Sequence, residues 1–434
     1  MLRIVTQQAE AQAELRRIRD RTRDEHLVHQ QATVREVLQT VRRQGDAALL
    51  RYAAEFEQQS LEPSELQVSG LELEAAYQQI SKSLLNSIQL ARHQMERFHR
   101  QRVPHSWVQF GDRDVVLGKR YQPVEGAGLY IPGGWAPYPS LVLMCAIPAQ
   151  VAGVRRIVMV SPPRAGKTIH PAVLVAAQEA GVHEIYRVGG PQAIAALAYG
   201  TATIPPVDMI AGPGDIYVTL AKKLVHGIVG VDALAGPSEM MIIADGGSRS
   251  QTIAADLLAQ AEYSPMAAAI LLTPDASLAN QVAAAVGQQL VNHPRRTLTE
   301  KAIAHYGLVV QVDSLETAVD LVNGFAPGQV SLAVADPWSL LGSIRHAGSI
   351  LMGYDTPEAV AGFLAGPSAI LPPAWGPRYA SALGVETFLK QSQVIQYSPA
   401  ALRQVAGAID FLATLGELPC HAEAVRLRLQ NPED

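Results

Sequence analysis

Cysteine is nearly absent from this chain: among 434 residues only Cys145 and Cys420 occur, with no CxxC spacing. That scarcity excludes a disulfide framework and a thiolate zinc site, and it predicts a reducing, cytoplasmic setting. No uninterrupted apolar run reaches membrane-spanning length, and no charged start leads into a signal-type apolar segment. Positive charge is not in excess either, since 35 Lys and Arg against 40 Asp and Glu leave a net −5. The basic cluster Arg16, Arg17, Arg19, Arg21 and Arg23 is interleaved with acids, so it reads as a solvated helix face and not as a phosphate-binding patch. Neither nucleic acid nor a membrane is an expected partner.

What is present is a long, apolar chain, 48% hydrophobic, sufficient for two or three domains with substantial cores. Residues 1–100 read as a polar helical region, with Val34, Val37, Leu38 and Val41 at helical spacing. His26 and His29 lie three apart there, but a metal needs three or four ligands, so they read as exposed histidines. From Tyr121 strands and helices alternate. The run Ile157–Ser161, a helix over Ala172–Ala180, a stop at Gly181 and the run Glu184–Val188 make a βαβ unit, hence a parallel sheet buried on both faces. Gly189, Gly190 and Pro191 then open a helix whose free N–H groups offer an anion site for a dinucleotide phosphate; no GxGxxG is present, and the alternative reading of the Gly-Gly pair is a plain turn after a strand. SPPRAGKT ends like a P-loop but has Ser161 where the first glycine belongs, and Pro162 and Pro163 remove two backbone donors, so triphosphate binding is rejected. A second α/β stretch carries MMIIAD, AAAILLTPD and GLVVQVD as strands, with helices around Thr252–Glu262 and Ser277–Gln289. Two such halves predict a ligand cleft between two open sheets. The boundaries expected are a helical region 1–100, α/β domains 121–239 and 240–384, and a helical dimerisation tail 385–434.

Seven stretches in order over about 300 residues resemble the histidinol dehydrogenase family: GLYIPGGWAPYPSLVLM, VGGPQAIAALAYGT, AGPGDIYVTLAKK, AGPSEMMIIAD, LLAQAEYSP, AGSILMG, and His421 with AEAVRLR. The resemblance implies two incomplete Rossmann-like domains with a helical N-terminal arm and a short C-terminal tail that reaches into a partner subunit. It also implies a zinc-dependent homodimer that oxidises L-histidinol to L-histidine by two hydride transfers to NAD⁺.

Position by position, the chain departs from that pattern. The family's Glu-His pair after Ala-Pro, general base and water activator, is Gly328 and Gln329 here. Glycine offers only backbone, and a glutamine amide cannot take a proton near neutral pH. Of the family's four zinc ligands, Gln260 and His421 match, whereas Tyr263 and Gly362 replace a histidine and an aspartate. One amide and one imidazole do not satisfy Zn²⁺, so the resemblance here implies no tight zinc site. The substrate-contacting Asn-His is Ser368-Ala369, the acid before the tail histidine is Gly416 with Glu417 beside it, and Ser238 is kept. On the cofactor side Tyr130 and Gln192 match, while Asp215 replaces an asparagine and adds negative charge near a pyrophosphate, which implies weak NAD⁺ binding.

Three functions follow as expectations. The first is a divergent family member inactive on histidinol, with a binding or regulatory role, as a homodimer or as a mixed dimer that lends His421 to an active homologue. The second is a metal-independent NAD-dependent dehydrogenase of another alcohol, its proton taken by Tyr263, Glu417 or Glu239. The third is histidinol dehydrogenase itself.

Overall fold

The computed structural model describes residues 2–22, 27–133, 136–182, 184–233 and 236–430. Arg23 and His26, the Gly134–Trp135 step of the IPGGW segment and Ala235 therefore lie outside the described residues; His29 is exposed. The chain forms two compact units, Met1–Arg102 with Val124–Phe388, and Val103–Pro123 with Leu389–Asp434.

The larger unit contains two parallel sheets. The first has, in spatial order, the strands Glu184–Arg187, Arg156–Ser161, Gly126–Tyr130, Met209–Ala211 and Gly230–Val231. Every pairing in it is parallel. Its predicted βαβ unit is present, with a crossover helix Pro171–Glu179 whose start is capped by His170 Nδ1 accepting from the Ala172 N–H at 3.1 Å. From the central strand Gly126–Tyr130 the chain winds first to one side and then to the other. The switch therefore falls beside that strand, where open α/β sheets part their loops to admit ligands.

The second sheet has the order Arg3–Val5, Gly307–Gln311, Ala268–Thr273, Glu239–Ala244, Gln329–Ala333 and Ser349–Met352, again parallel throughout. All six residues of Glu239–Ala244 are buried, as expected of a strand covered on both faces. The helices Ser250–Ala261 and Ala276–Val291 cover it close to their predicted limits. One element departs from the sequence reading. The N-terminal region is not wholly helical, because Arg3–Val5 joins this sheet with Ile4 paired to Val309. Three residues are too few to show strand periodicity; a distant edge strand supplies the pairing.

The smaller unit carries the expected helical C-terminal tail, with a strand ahead of it. It opens with the strand Leu389–Gln396, which pairs antiparallel with Val116–Pro123, itself paired with Trp107–Phe110. Helices Pro399–Leu415 and Pro419–Leu429 follow, parted at Glu417, which has a positive φ of 55°. Phe110, Phe411 and Leu415 are more than three-quarters exposed in this unit. No helix among the described residues is long and apolar enough to cross a membrane.

Candidate functional site

A cleft of about 1090 Å³ in the larger unit brings together residues from the first sheet's carboxyl edge and from the second sheet's covering helices. Tyr130 ends the central strand, Gln192 follows the next turn but one, and Asp215 follows Met209–Ala211; all three line the cleft, together with Tyr263. The predicted cofactor positions thus converge. The second sheet does not present its carboxyl edge: Ser238 and Gln329 stand at the amino ends of Glu239–Ala244 and Gln329–Ala333.

The start of the helix Gly190–Tyr199 is not the free anion site that one reading of the sequence offers. Glu57, the residue capping the helix Asp46–Phe56, reaches it from 132 positions away. Its Oε1 accepts the Gly189 N–H at 2.7 Å and the Gln192 amide at 3.1 Å. The Gly190 N–H donates to the Tyr130 hydroxyl at 3.1 Å, and Pro191 has no donor. Gly190 adopts φ +60°, a conformation that favours glycine, and a Cβ on Gly189 would meet the Glu57 carboxylate at 2.8 Å. Burial pushes the Glu57 carboxyl up to about 7, against the pull of its two donors. Burial also drives the Tyr130 phenol upward, so it stays protonated.

Asp215, whose extra charge looks costly from the sequence, has a local role. Its Oδ1 caps the helix Ile216–Val225 by accepting the Val218 N–H at 3.0 Å. Lys222, the first of the two lysines that close this motif, is fully buried and pairs with Asp232, while its Nζ also donates to the Gly212 carbonyl at 3.0 Å.

Gln260 sits in the last turn of Ser250–Ala261, 2% exposed, with no hydrogen-bond partner for its Nε2 among the described residues. Tyr263, just beyond, is 41% exposed and hydrogen-bonds the carboxylate of Glu358, a 6% exposed group that begins the short helix Glu358–Phe363. Desolvation raises Glu358 to about 7 and its neighbour Asp256 to about 6. The same burial, with Glu358 alongside, raises the Tyr263 phenol far from phenolate. A Cβ on Gly362 would lie 3.4 Å from the Tyr263 hydroxyl, so the two replaced positions face each other. Among the described residues no three His, Cys, Asp or Glu side chains cluster as a metal site.

Gly328 and Gln329 open a buried strand, Gln329 being 5% exposed and paired to Met240 on one side and Ser349 on the other. Glycine is not demanded there: φ is not positive, and an added Cβ would meet nothing closer than 3.6 Å. Beneath this segment lies Glu239, which the sequence offered as a proton acceptor. It is 3% exposed and ion-paired to Arg21 at 2.9 Å, with the Ala374 N–H at 3.0 Å on its other oxygen. A group so enclosed and paired is structural, which corrects that expectation. Ser238 is exposed, Ala369 packs on the core, and the buried Ser368 hydroxyl accepts from the Ile370 N–H at 3.2 Å. Gly416, Glu417 and His421 belong to the smaller unit and are exposed there.

Sequence reasoning missed Glu57 and Glu358. Glu57 follows an ordinary amphipathic helix, and Glu358 looks like any acid in a first helical turn, so neither carries a local signal.

A family model described as histidinol dehydrogenase matches residues 19–429. "Histidinol dehydrogenase 2" of Trichormus variabilis is 65% identical over 433 residues, covering 100% of both chains. "Histidinol dehydrogenase" of Thermosynechococcus vestitus is 64% identical, covering 99% of this chain and 100% of its own. The crystal structure of histidinol dehydrogenase from Elizabethkingia anophelis superposes with a TM-score of 0.92 at 32% identity, over 98% of this chain and 97% of that one. In sequence and in fold alike, the chain belongs to the histidinol dehydrogenase family.

Proposed function

We propose that this chain keeps the ligand cleft of the histidinol dehydrogenase scaffold but has left the family reaction, and that it serves as a cytoplasmic binding or regulatory member. The observation that carries this reading is the Gly328–Gln329 pair, where the family's resemblance places both proton-transfer groups. A Cβ fits at position 328, so no steric demand of the fold calls for glycine there. Loss of one positioned base costs about 10²–10⁴ in rate for each step it serves.

The residues present do not fit zinc. Gln260 and Tyr263 offer a neutral amide and a phenol held protonated, and Gly362 offers nothing. A nicotinamide dinucleotide fits the cleft in size, with Tyr130 and Gln192 as the residues to hold it, but the carboxylates of Glu57 and Asp215 oppose its phosphates. The exposed apolar side chains of the smaller unit support assembly as a dimer, with a second copy or an active homologue.

Complementation of a histidine auxotroph fed histidinol tests the reading. The natural chain is expected to fail, and a chain carrying G328E, Q329H, Y263H and G362D to gain zinc; growth supported by the natural chain at the rate given by an ordinary family member refutes it.

A second reading, the family reaction itself, is the one that the comparisons favour over its loss, because relatives of 64–65% identity across the whole chain carry that name. It requires another proton acceptor, and the Tyr263–Glu358 pair supports it: Tyr263 takes the substrate hydroxyl proton as its own passes to Glu358. The same pair serves the oxidation of a different alcohol without metal. Titration with NAD⁺ separates these oxidoreductase readings from a pure binding role, and loss of turnover in E358Q with retained NAD⁺ binding is their specific signature.

A further inference from the structure

The most unusual feature of the cleft is that its helix start is filled from within the chain. Once Gly189 and the Gln192 amide have donated to Glu57 Oε1, two buried oxygens remain unpartnered among the described residues: Glu57 Oε2 and Gln192 Oε1. Gln192 is 0% exposed, and its orientation is fixed, since only its NH₂ can face a carboxylate. With the Glu57 carboxyl ionised, above about pH 7, both orphans are acceptors. A ligand that satisfies them must donate, and a phosphate at neutral pH brings more acceptors and more negative charge.

We infer that Glu57 is a specificity-determining residue: it occupies the anion position at the start of Gly190–Tyr199, so that this end of the cleft takes an ammonium- or hydroxyl-bearing group and excludes phosphate. The supporting geometry is local and complete. Gly189 and Gly190 lack the side chains that would block the carboxylate, a Cβ on either meeting Glu57 or Gln192 oxygens at 2.8 and 2.6 Å. The cleft's other acids, Glu55 and Asp215, add to the repulsion, and its cations come from another element, Lys301 on the helix Arg296–Tyr306 and Arg295 at its N-cap. An anion entering this cleft is therefore drawn to Arg295 and Lys301, leaving the donor-bearing end of the molecule for Glu57 and Gln192. This inference concerns binding alone and stands whether or not histidinol is oxidised.

The test is calorimetric binding of inorganic pyrophosphate and of ethanolamine at about pH 8.5, where Glu57 is ionised, to the full chain and to E57Q and E57A. Glutamine keeps an acceptor for Gly189 while removing the charge, and alanine empties the position, so a folding failure in one leaves the other informative. Removing a like charge at a few ångströms in a desolvated site is worth somewhat more than about 1 kcal/mol, so pyrophosphate should bind both variants about tenfold tighter than the natural chain. Ethanolamine should weaken by a similar factor. Unchanged pyrophosphate affinity in both folded variants overturns the inference, as does a failure of either variant to bind it at about 10 mM. Ethanolamine that binds natural chain and variants equally overturns the ligand class.

Discussion

If Glu239 is a structural carboxylate rather than a proton acceptor, removing its partner must cost stability before anything else. Arg21 is 3% exposed at its side chain and Glu239 1%, so the pair is screened by protein on every side. The guanidinium also donates to the carbonyls of Ile18 at 2.7 Å, Met266 at 3.0 Å and Pro237 at 3.2 Å. R21A leaves a buried carboxylate with backbone donors alone, and breaking a buried pair from one side costs about 3–5 kcal/mol. E239Q breaks the pair from the other side and leaves one oxygen for two donors, so it should cost a similar amount, about 3–5 kcal/mol. In R21A/E239Q the orphaned charge is gone, so the double variant should be less destabilised than the sum of the singles by well over about 1 kcal/mol. Urea unfolding followed by circular dichroism measures all four chains. An R21A cost of under about 1 kcal/mol would mean that the pair is solvated or loosely held, and Glu239 would return as a candidate for chemistry.

Three further outcomes are expected. G362D alone should destabilise the chain, because its carboxylate enters beside the Tyr263 hydroxyl that serves Glu358; paired with Y263H, whose imidazole can pair with the new carboxylate, the cost should shrink, and equal costs in the two backgrounds would break the link between these positions. Glu57 titrates near 7 in the folded chain against 4.5 in a free side chain, so the folded state binds the extra proton between those values. Stability should therefore fall as pH rises through that window, and E57Q should flatten the profile of urea midpoints from about pH 5 to 8; an unchanged slope in E57Q would remove Glu57 as its source. Limited proteolysis tests the proposed four-part division: first cuts are expected near residues 100–120 and 385, and a stable fragment that crosses those points speaks against it.

The parallel sheets were legible without coordinates. Runs such as Ile157–Ser161 and Met240–Ala244 are apolar on both faces, bounded by turn residues and separated by helices, and that pattern has few solutions. The seven motifs fixed the family, and the change at Gly328–Gln329 needs no structure to be seen, since a missing ionisable group is a property of residue type. What the sequence could not reveal depends on contacts between distant positions. Glu57 meets Gly189 across 132 residues and Arg21 meets Glu239 across 218, distances at which no periodicity or spacing survives. Burial then decides what those groups are: it converts Glu57 from a surface acid into the occupant of an anion site, and Glu239 from a possible base into a structural charge. Composition and local pattern set which groups exist; only the folded chain, by choosing their neighbours and removing their water, set what each of them can do.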